Sequence, residues 1–131
     1  MPANTSPIFE ITVWRKGCQL VNATGTTKTL VAAAGSNGSR YDMVSCSTTD
    51  TSAETLSFWA YDGSSIYYHL GDVSLPVGAG YTNVPLVDAV PILAPSLGYI
   101  ALQSGYSLYV SAGTAVTSSK QTDVLAQGGD Y

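Results

Sequence analysis

Charged side chains are scarce in this sequence. Only 11% of its 131 residues are Asp, Glu, Lys or Arg, whereas an average soluble domain has about 25%. The five cations and nine carboxylic acids give a net charge of −4, and no Lys or Arg occurs between Tyr41 and Ser119. Because nucleic-acid binding depends on cations that neutralise phosphates, this balance argues against a DNA- or RNA-binding protein.

Long apolar runs and cysteine frameworks are missing as well. No apolar stretch approaches the roughly 20 residues of a membrane span, and the segment from Met1 to Pro7 has neither the basic start nor the apolar run of a signal peptide. We therefore expect a protein that is made and kept in the cytosol without membrane contact. Cys18 and Cys46 have no metal, redox or haem spacing, so we expect both to be buried free thiols.

Groups that carry out chemistry are few and dispersed. His69 is the only histidine, and it lacks the accompanying pattern that a catalytic triad or a zinc site needs. The carboxylates form no calcium-binding loop, and Gly78-Ala79-Gly80 lacks the third glycine and the following helix of a dinucleotide site. Two acidic residues could be chosen here as the catalytic pair of a glycoside hydrolase, but any acidic β protein offers such pairs, so the sequence singles none out. The sequence predicts no enzymatic activity, no cofactor and no metal.

What the sequence has in abundance is strand-forming residues interrupted by turn residues. Apolar, β-branched and aromatic clusters alternate with Gly, Asn, Asp and Ser about every eight to twelve residues, which is typical of β-sandwiches and barrels. We predict one all-β domain over residues 1–131, an antiparallel, jelly-roll-like β-sandwich of about eight strands with a short N-terminal arm over about residues 1–8. The predicted strands are Ile8–Arg15, Lys28–Ala33, Arg40–Ser47, Glu54–Tyr61, Ile66–Leu75, Tyr99–Gln103, Tyr106–Ser111 and Thr122–Gln127.

Turn residues predict how the strands are connected. Asp62-Gly63 predicts a hairpin, because this dipeptide readily adopts the positive φ angles of a primed turn. Gly35-Ser36-Asn37-Gly38 predicts another tight connection, and Gly78 to Asn83 predicts a loop. The prolines between Val84 and Leu97 disfavour a central strand, so we expect an extended crossover or a sheet edge there and no helix.

Two predicted strands place large side chains on both faces. The residues expected to face the core are Leu56, Phe58, Ala60, Tyr106, Leu108 and Val110. The period of two then puts Trp59, Tyr61 and Tyr109 on the opposite face. Aromatic residues on an outer sheet face indicate either burial on both sides or contact with a partner. We predict that these three residues form an interface; the alternative is a covering loop such as Val84–Leu97.

Short segments at both termini and around the predicted turns together carry a resemblance to a known family. They are Met1 to Phe9, Gly35 to Arg40, Leu56 to Gly63, Gly105-Tyr106, Gly113 to Val116 and Gly128 to Tyr131. Together they resemble a family of small proteins encoded among the head genes of tailed bacteriophages. The resemblance spans nearly the whole chain, except between Glu10 and Lys28 and around Tyr67 to Tyr81.

The resemblance implies a virion structural protein, above all a capsid decoration or cement protein, with a β-sandwich fold and no catalytic residues. Such a protein would be made in the host cytoplasm and would bind the major capsid protein on the surface of the assembled head. It would stabilise the shell by mass action. A homo-oligomer is expected, with a trimer as one option, and location on the head, connector or tail stays open.

Ile8 and Phe9 of the arm join Trp59, Tyr61 and Tyr109 as candidate interface residues. The alternative function is a carbohydrate-binding or receptor-contacting β module, in which exposed aromatic rings would stack on sugars.

Overall fold

A computed structural model describes residues 12–81 and 83–131, and the regular secondary structure of this part of the chain is almost entirely β. The strands are β1 (Thr12–Val21), β2 (Thr29–Ala33), β3 (Ser39–Thr48), β4 (Glu54–Tyr61), β5 (Tyr67–Leu75), β6 (Val87–Asp88), β7 (Ile100–Leu102), β8 (Ser107–Ala112) and β9 (Gln121–Asp130). A 3-10 turn over Asn22–Thr24 follows β1, and a one-turn helix, α1 (Val90–Leu93), follows β6. The predicted all-β class is confirmed.

The strands form two antiparallel sheets that pack face to face. The first sheet has the order β1-β9-β3-β6, with β7 paired to another part of β3, and the second has the order β2-β8-β4-β5. The first strand therefore pairs with the last, β2 pairs with β8, and the chain reverses at the β4–β5 hairpin. This is the strand order of a jelly roll, in which two Greek keys wrap into a sandwich.

The core lies between the two sheets and follows from alternation along the strands. Inward-facing residues that are fully buried include Leu56, Phe58, Leu108 and Val110 from the second sheet and Val44, Cys46, Val124 and Ala126 from the first. Burial of each Leu, Val or Phe side chain stabilises the fold by about 1.5–3 kcal/mol. The predicted core face is confirmed, except that Tyr106 precedes β8 and is only partly buried.

The edge strand β1 differs from its predicted bounds. It continues to Val21 instead of ending at Arg15, because Cys18 and Leu20 maintain the inward alternation and the whole strand pairs with β9. The predicted start at Ile8 and the arm over residues 1–8 lie outside the described residues.

Strand β9 extends past its predicted end at Gln127 through two glycines. A Cβ atom on Gly128 would lie 1.9 Å from the backbone oxygen of Arg40. Strand β3 bulges here, between Tyr41 and Met43, and brings its backbone close to β9. Only glycine fits at position 128, because the backbones of β3 and β9 approach so closely there, and this requirement outweighs the low strand propensity of glycine.

The hairpin predicted at Asp62-Gly63 is present, but its turn is longer than the dipeptide suggests. Tyr61 pairs with Tyr67, so five residues connect the strands. Oδ1 of Asp62 accepts hydrogen bonds from the backbone N–H groups of Ser64, Ser65 and Ile66 at 2.9–3.1 Å. The side chain thus holds the longer turn together with a backbone bond from the Asp62 N–H to the Ile66 carbonyl at 3.1 Å. The bonds that Asp62 Oδ1 accepts lower the pKa of Asp62.

The proline-containing segment Val84–Leu97 closes the edge of the sandwich. Its two-residue strand β6 pairs with β3, as expected for a sheet edge. Contrary to the sequence prediction it also contains a helical turn, α1, which packs against β5 and β3. Pro91 lies in the first turn of this helix, where a missing N–H costs nothing because no partner exists there.

Candidate interaction surface

The structure brings together the three described residues that the sequence predicts as an interface. Trp59 and Tyr61 of β4 and Tyr109 of β8 all point to the outer face of the second sheet, and each is half-buried. Trp59 and Tyr109 are directly paired across the two strands, and the rings of Tyr61 and Tyr109 meet edge to face at 5.4 Å. Ile8 and Phe9, the other predicted interface residues, lie outside the described residues.

Strand pairing enlarges this group into a continuous surface. One row of paired residues crosses all four strands, and it consists of Leu30, Tyr109, Trp59 and His69. In the next row Tyr61 stacks on Tyr67, with ring centroids 4.3 Å apart. We call these six residues, Leu30, Trp59, Tyr61, Tyr67, His69 and Tyr109, the aromatic face.

A β-bulge determines which residues of β5 belong to the aromatic face. Phe58 pairs with Gly71, but its neighbour Trp59 pairs with His69, so β5 has one extra residue, Leu70, at this point. Because side chains alternate, regular pairing would have placed Leu70 beside Trp59 on the outer face. The bulge instead directs His69 and Tyr67 outward.

The rings of the aromatic face are held by their neighbours. The indole Nε1 of Trp59 donates a hydrogen bond to Oγ of Ser111 at 3.0 Å, and its ring lies 4.8 Å from that of His69. The ammonium group of Lys28 lies 4.4 Å from the centre of the Trp59 ring and 5.1 Å from that of Tyr67. These contacts order the surface before any partner binds.

A polar row borders the aromatic face. Ser57 donates a hydrogen bond to Oδ1 of Asp72 at 2.7 Å, and Nε2 of His69 lies 2.9 Å from the same oxygen. The bond from Ser57 and then that from His69 lower the pKa of Asp72. In a catalytic triad the imidazole contacts the hydroxyl group, whereas here the carboxylate separates them. The Ser57 hydroxyl is therefore not activated as a nucleophile.

The segment that could have covered the aromatic face packs elsewhere. Val84–Leu97 pairs with β3 of the other sheet and buries Ala89 and Val90 in the core. Meanwhile Leu30 and Tyr67 keep 45% and 36% of their surface exposed. Within the described part of the chain, the outer face of the second sheet is thus exposed at its margins around a half-buried aromatic centre.

Sequence reasoning missed half of the aromatic face. Tyr67 could have been found by pairing residues outward from the hairpin, since it lies opposite Tyr61. His69 depends on the bulge, and Leu30 on the pairing of β2 with β8, 79 positions apart in the Leu30–Tyr109 pair. Nothing local to Lys28 indicates that it reaches Trp59.

Within residues 12–81 and 83–131, no three His, Cys, Asp or Glu side chains come together where they could hold a metal ion. No helix in these ranges is long and apolar enough to cross a membrane. No protein-family model, curated protein or solved structure matches the chain.

Proposed function

We propose that the protein is a non-enzymatic virion structural protein that acts as a capsid decoration or cement protein. The observation that carries this proposal is the aromatic face, an ordered and exposed surface that spans a whole sheet. The jelly-roll strand order agrees with it, because many viral capsid proteins use this architecture, although lectins and cupins do too. The resemblance of the sequence segments to phage head-gene proteins points in the same direction.

The composition of the aromatic face favours a protein partner. Trp and Tyr are enriched among the residues that dominate binding energy at protein interfaces. Their rings are already held by Lys28, Ser111 and one another, so little side-chain freedom is lost on binding. Lys28 and Asp72 at the margin offer charges of both signs, which suits a polar rim around an apolar centre.

The same contacts make sugar binding the weaker alternative. Stacking on a sugar requires an open ring face. One face of Trp59 is covered by the Lys28 ammonium group, and Tyr61 and Tyr67 stack on each other. A carbohydrate-binding or receptor-contacting module therefore remains the second candidate, supported only by the exposure of Tyr67, which keeps 36% of its surface open.

The proposed partner is the major capsid protein in the assembled shell on the virion surface, with further contacts between copies of the chain in a homo-oligomer. A ligand that binds only the assembled state stabilises that state by an amount that grows with the ratio of the ligand concentration to Kd. The protein would strengthen the head in this way and would need no chemical step.

The test measures the chain in purified phage particles from the host that carries its gene. Mass spectrometry should find it in a copy number that is a fixed ratio to the major capsid protein. Shells stripped of the chain should rebind the purified wild-type protein, while Trp59→Ala and Tyr67→Ala should rebind at least 10-fold more weakly. Tyr81→Ala is the matched control, because Tyr81 is an exposed tyrosine in a loop away from the aromatic face.

Two results would overturn the proposal. One is absence of the chain from purified particles. The other is binding of Trp59→Ala and Tyr67→Ala to stripped shells with wild-type affinity. Glycan binding that disappears in Tyr67→Ala would favour the second candidate instead.

A further inference from the structure

Two carboxyl groups are buried together at one end of the sandwich. Asp50, in the connection between β3 and β4, is 2% exposed, and Glu54, the first residue of β4, is 8% exposed. The two carboxyl groups interact with each other, and a hydrogen bond between them requires a proton on one of them. Two carboxylates cannot both remain ionised at such a contact without a large cost, because burial removes the water that would screen them.

Asp50 is the ionised member of the pair. Its Oδ2 accepts a hydrogen bond from the Thr117 backbone N–H at 3.1 Å. Its Oδ1 accepts one from the Thr117 hydroxyl at 2.6 Å and one from the Ser52 backbone N–H at 3.1 Å. Burial alone would raise the pKa of Asp50, but these donors and Glu54 together hold it well below its usual range. Through these bonds Asp50 joins the β3–β4 connection to the loop between β8 and β9.

Glu54 has the environment of a protonated acid. Its Oε2 accepts a hydrogen bond from the Thr122 hydroxyl at 2.8 Å. Its Oε1 is buried and has no hydrogen-bond partner among the described residues. A proton on Glu54 satisfies the group, because a protonated carboxyl donates to the Asp50 carboxylate. Burial, followed by the contact with Asp50, raises the pKa of Glu54 to about 7.

Among the described residues, Asp50 is the charged group that acts on Glu54. Leu75 of β5, Thr122 of β9 and Thr117 of the β8–β9 loop are uncharged. The charged residues nearest to Thr122 in the sequence are Lys120, which precedes β9, and Asp123, which accepts hydrogen bonds from Gln19 and Gln121. The pKa of Glu54 is set by its burial, by Asp50 and by the opposing bond from Thr122.

We propose that Asp50 and Glu54 share one proton, and that this proton makes the joint between the β3–β4 connection and the β8–β9 loop sensitive to pH. With the proton in place, Glu54 donates to Asp50, and Asp50 holds Thr117. When the proton leaves, two buried carboxylates repel each other, and the Asp50–Thr117 bonds weaken. The joint is therefore tight in mildly acidic solution and loosens above neutral pH.

The direction in which stability changes with pH follows from the difference in pKa between the folded and the unfolded chain. The pKa of Glu54 is about 7 in the folded chain against 4.5 for the free group, so the folded state retains the proton more strongly. Its contribution to stability is complete below pH 4.5 and is lost as the pH rises through 7. The pKa of Asp50 is lowered, so its contribution is present above the usual aspartate pKa and is lost only in strong acid.

A divalent cation fits the pair less well than a proton. Calcium takes six to eight oxygen ligands in proteins. Both oxygens of Asp50 and one oxygen of Glu54 already accept hydrogen bonds from the chain.

The experiment is a pH series on the whole chain, with Glu54→Gln as the variant that cannot lose a proton and Asp42→Asn as an exposed-carboxylate control. Carboxyl ¹³C NMR of the wild type should show Glu54 titrating near pH 7. From pH 5 to pH 9 the folding equilibrium constant of the wild type should fall by a factor on the order of 100 more than that of Glu54→Gln. Amide exchange at Thr117, corrected for its intrinsic rate, should rise over the same range only when Glu54 is present.

Three outcomes would overturn the proposal. They are a Glu54 titration below pH 5.5, the same pH dependence in wild type and Glu54→Gln, and unchanged Thr117 protection up to pH 9. A rise in Tm on addition of 1 mM calcium chloride at pH 8, absent in Glu54→Gln, would instead show that the pair binds a metal ion. If Glu54→Gln does not fold, the NMR titration and the Thr117 exchange of the wild type decide the question.

Discussion

Cys18 of β1 and Cys46 of β3 pair with the same residue, Val124, from opposite sides of strand β9. Neighbouring strands lie about 4.8 Å apart, so the two Cα atoms are separated by about 10 Å, whereas a disulfide needs less than about 7 Å. The strand between them prevents a bridge. Burial raises the pKa of the thiols to about 11 for Cys18 and about 12 for Cys46, which keeps both protonated and unreactive.

We therefore predict two free, slowly reacting thiols. Under native conditions at pH 8 a thiol reagent should label Cys46 much more slowly than an unfolded control, and labelling in denaturant should reveal both cysteines. Cys46→Ser should lower the free energy of unfolding by about 1–3 kcal/mol, because it buries a hydroxyl group in place of a small apolar group. Cys18→Ser, at a half-buried site, should cost less. A denatured sample without free thiols would contradict this.

The second prediction concerns the close approach of β3 and β9. Gly128→Ala should destabilise the protein by about 1–3 kcal/mol, since the added Cβ collides with the Arg40 carbonyl and forces the strands apart. Gly113→Ala is the matched control, because its Cβ would lie 3.3 Å from the nearest atom, and it should change stability far less. Urea unfolding of the three proteins measures the difference. Equal stability of the two variants would show that the strands adjust freely around residue 128.

These two cases show what the sequence could and could not predict. Alternation along Glu54–Tyr61 correctly predicted both ends of that strand. It also predicted the faces on which Leu56, Phe58 and Trp59 lie, because side-chain direction in a strand depends only on the local period of two. Gly128 was missed as a strand residue because its role depends on a bulge in β3, far away in sequence. Local propensity contains no information about such a contact.

The candidate site was likewise predictable from the sequence only in part. Alternation placed Trp59, Tyr61 and Tyr109 on outward faces without any knowledge of strand order. Their assembly into one surface required the pairing of β4 with β8 and the bulge in β5, which are non-local. The Asp50–Glu54 pair was not predicted, since two acids four positions apart in a β protein give no sign that both are buried.

The third prediction tests whether Lys28 covers Trp59. Lys28→Met keeps the length of the side chain and removes the charge, so it should cost about 0.5–1 kcal/mol of unfolding free energy through the lost cation–π contact. The tryptophan emission spectrum should also change, because the charge beside the indole is gone. Lys120→Met provides the comparison and should leave both measurements unaltered. Identical behaviour of the two variants would mean that Lys28 is displaced from Trp59 in solution.

The last prediction is that the aromatic face joins copies of the chain or joins the chain to the capsid surface. Trp59 is half-buried within the chain by Lys28, His69 and Ser111, yet it also forms the centre of a solvent-exposed row. Truncation of a central aromatic residue at an interface typically costs 2 kcal/mol or more of binding free energy. Trp59→Ala should therefore weaken self-association by about 30-fold or more.

The measurement is light scattering after size-exclusion chromatography over a range of concentrations, with circular dichroism to verify the fold. Wild-type protein should form an oligomer, Trp59→Ala and Tyr67→Ala should shift toward the monomer, and Tyr81→Ala should behave as wild type. Tyr67→Ala separates binding from folding, since Tyr67 is more exposed than Trp59 and contributes less to the fold. If Trp59→Ala unfolds while Tyr67→Ala associates normally, Trp59 is a structural residue and the contact surface lies elsewhere. The arm with Ile8 and Phe9 is then the next surface to truncate, and its removal should give the monomer that the aromatic-face variants did not.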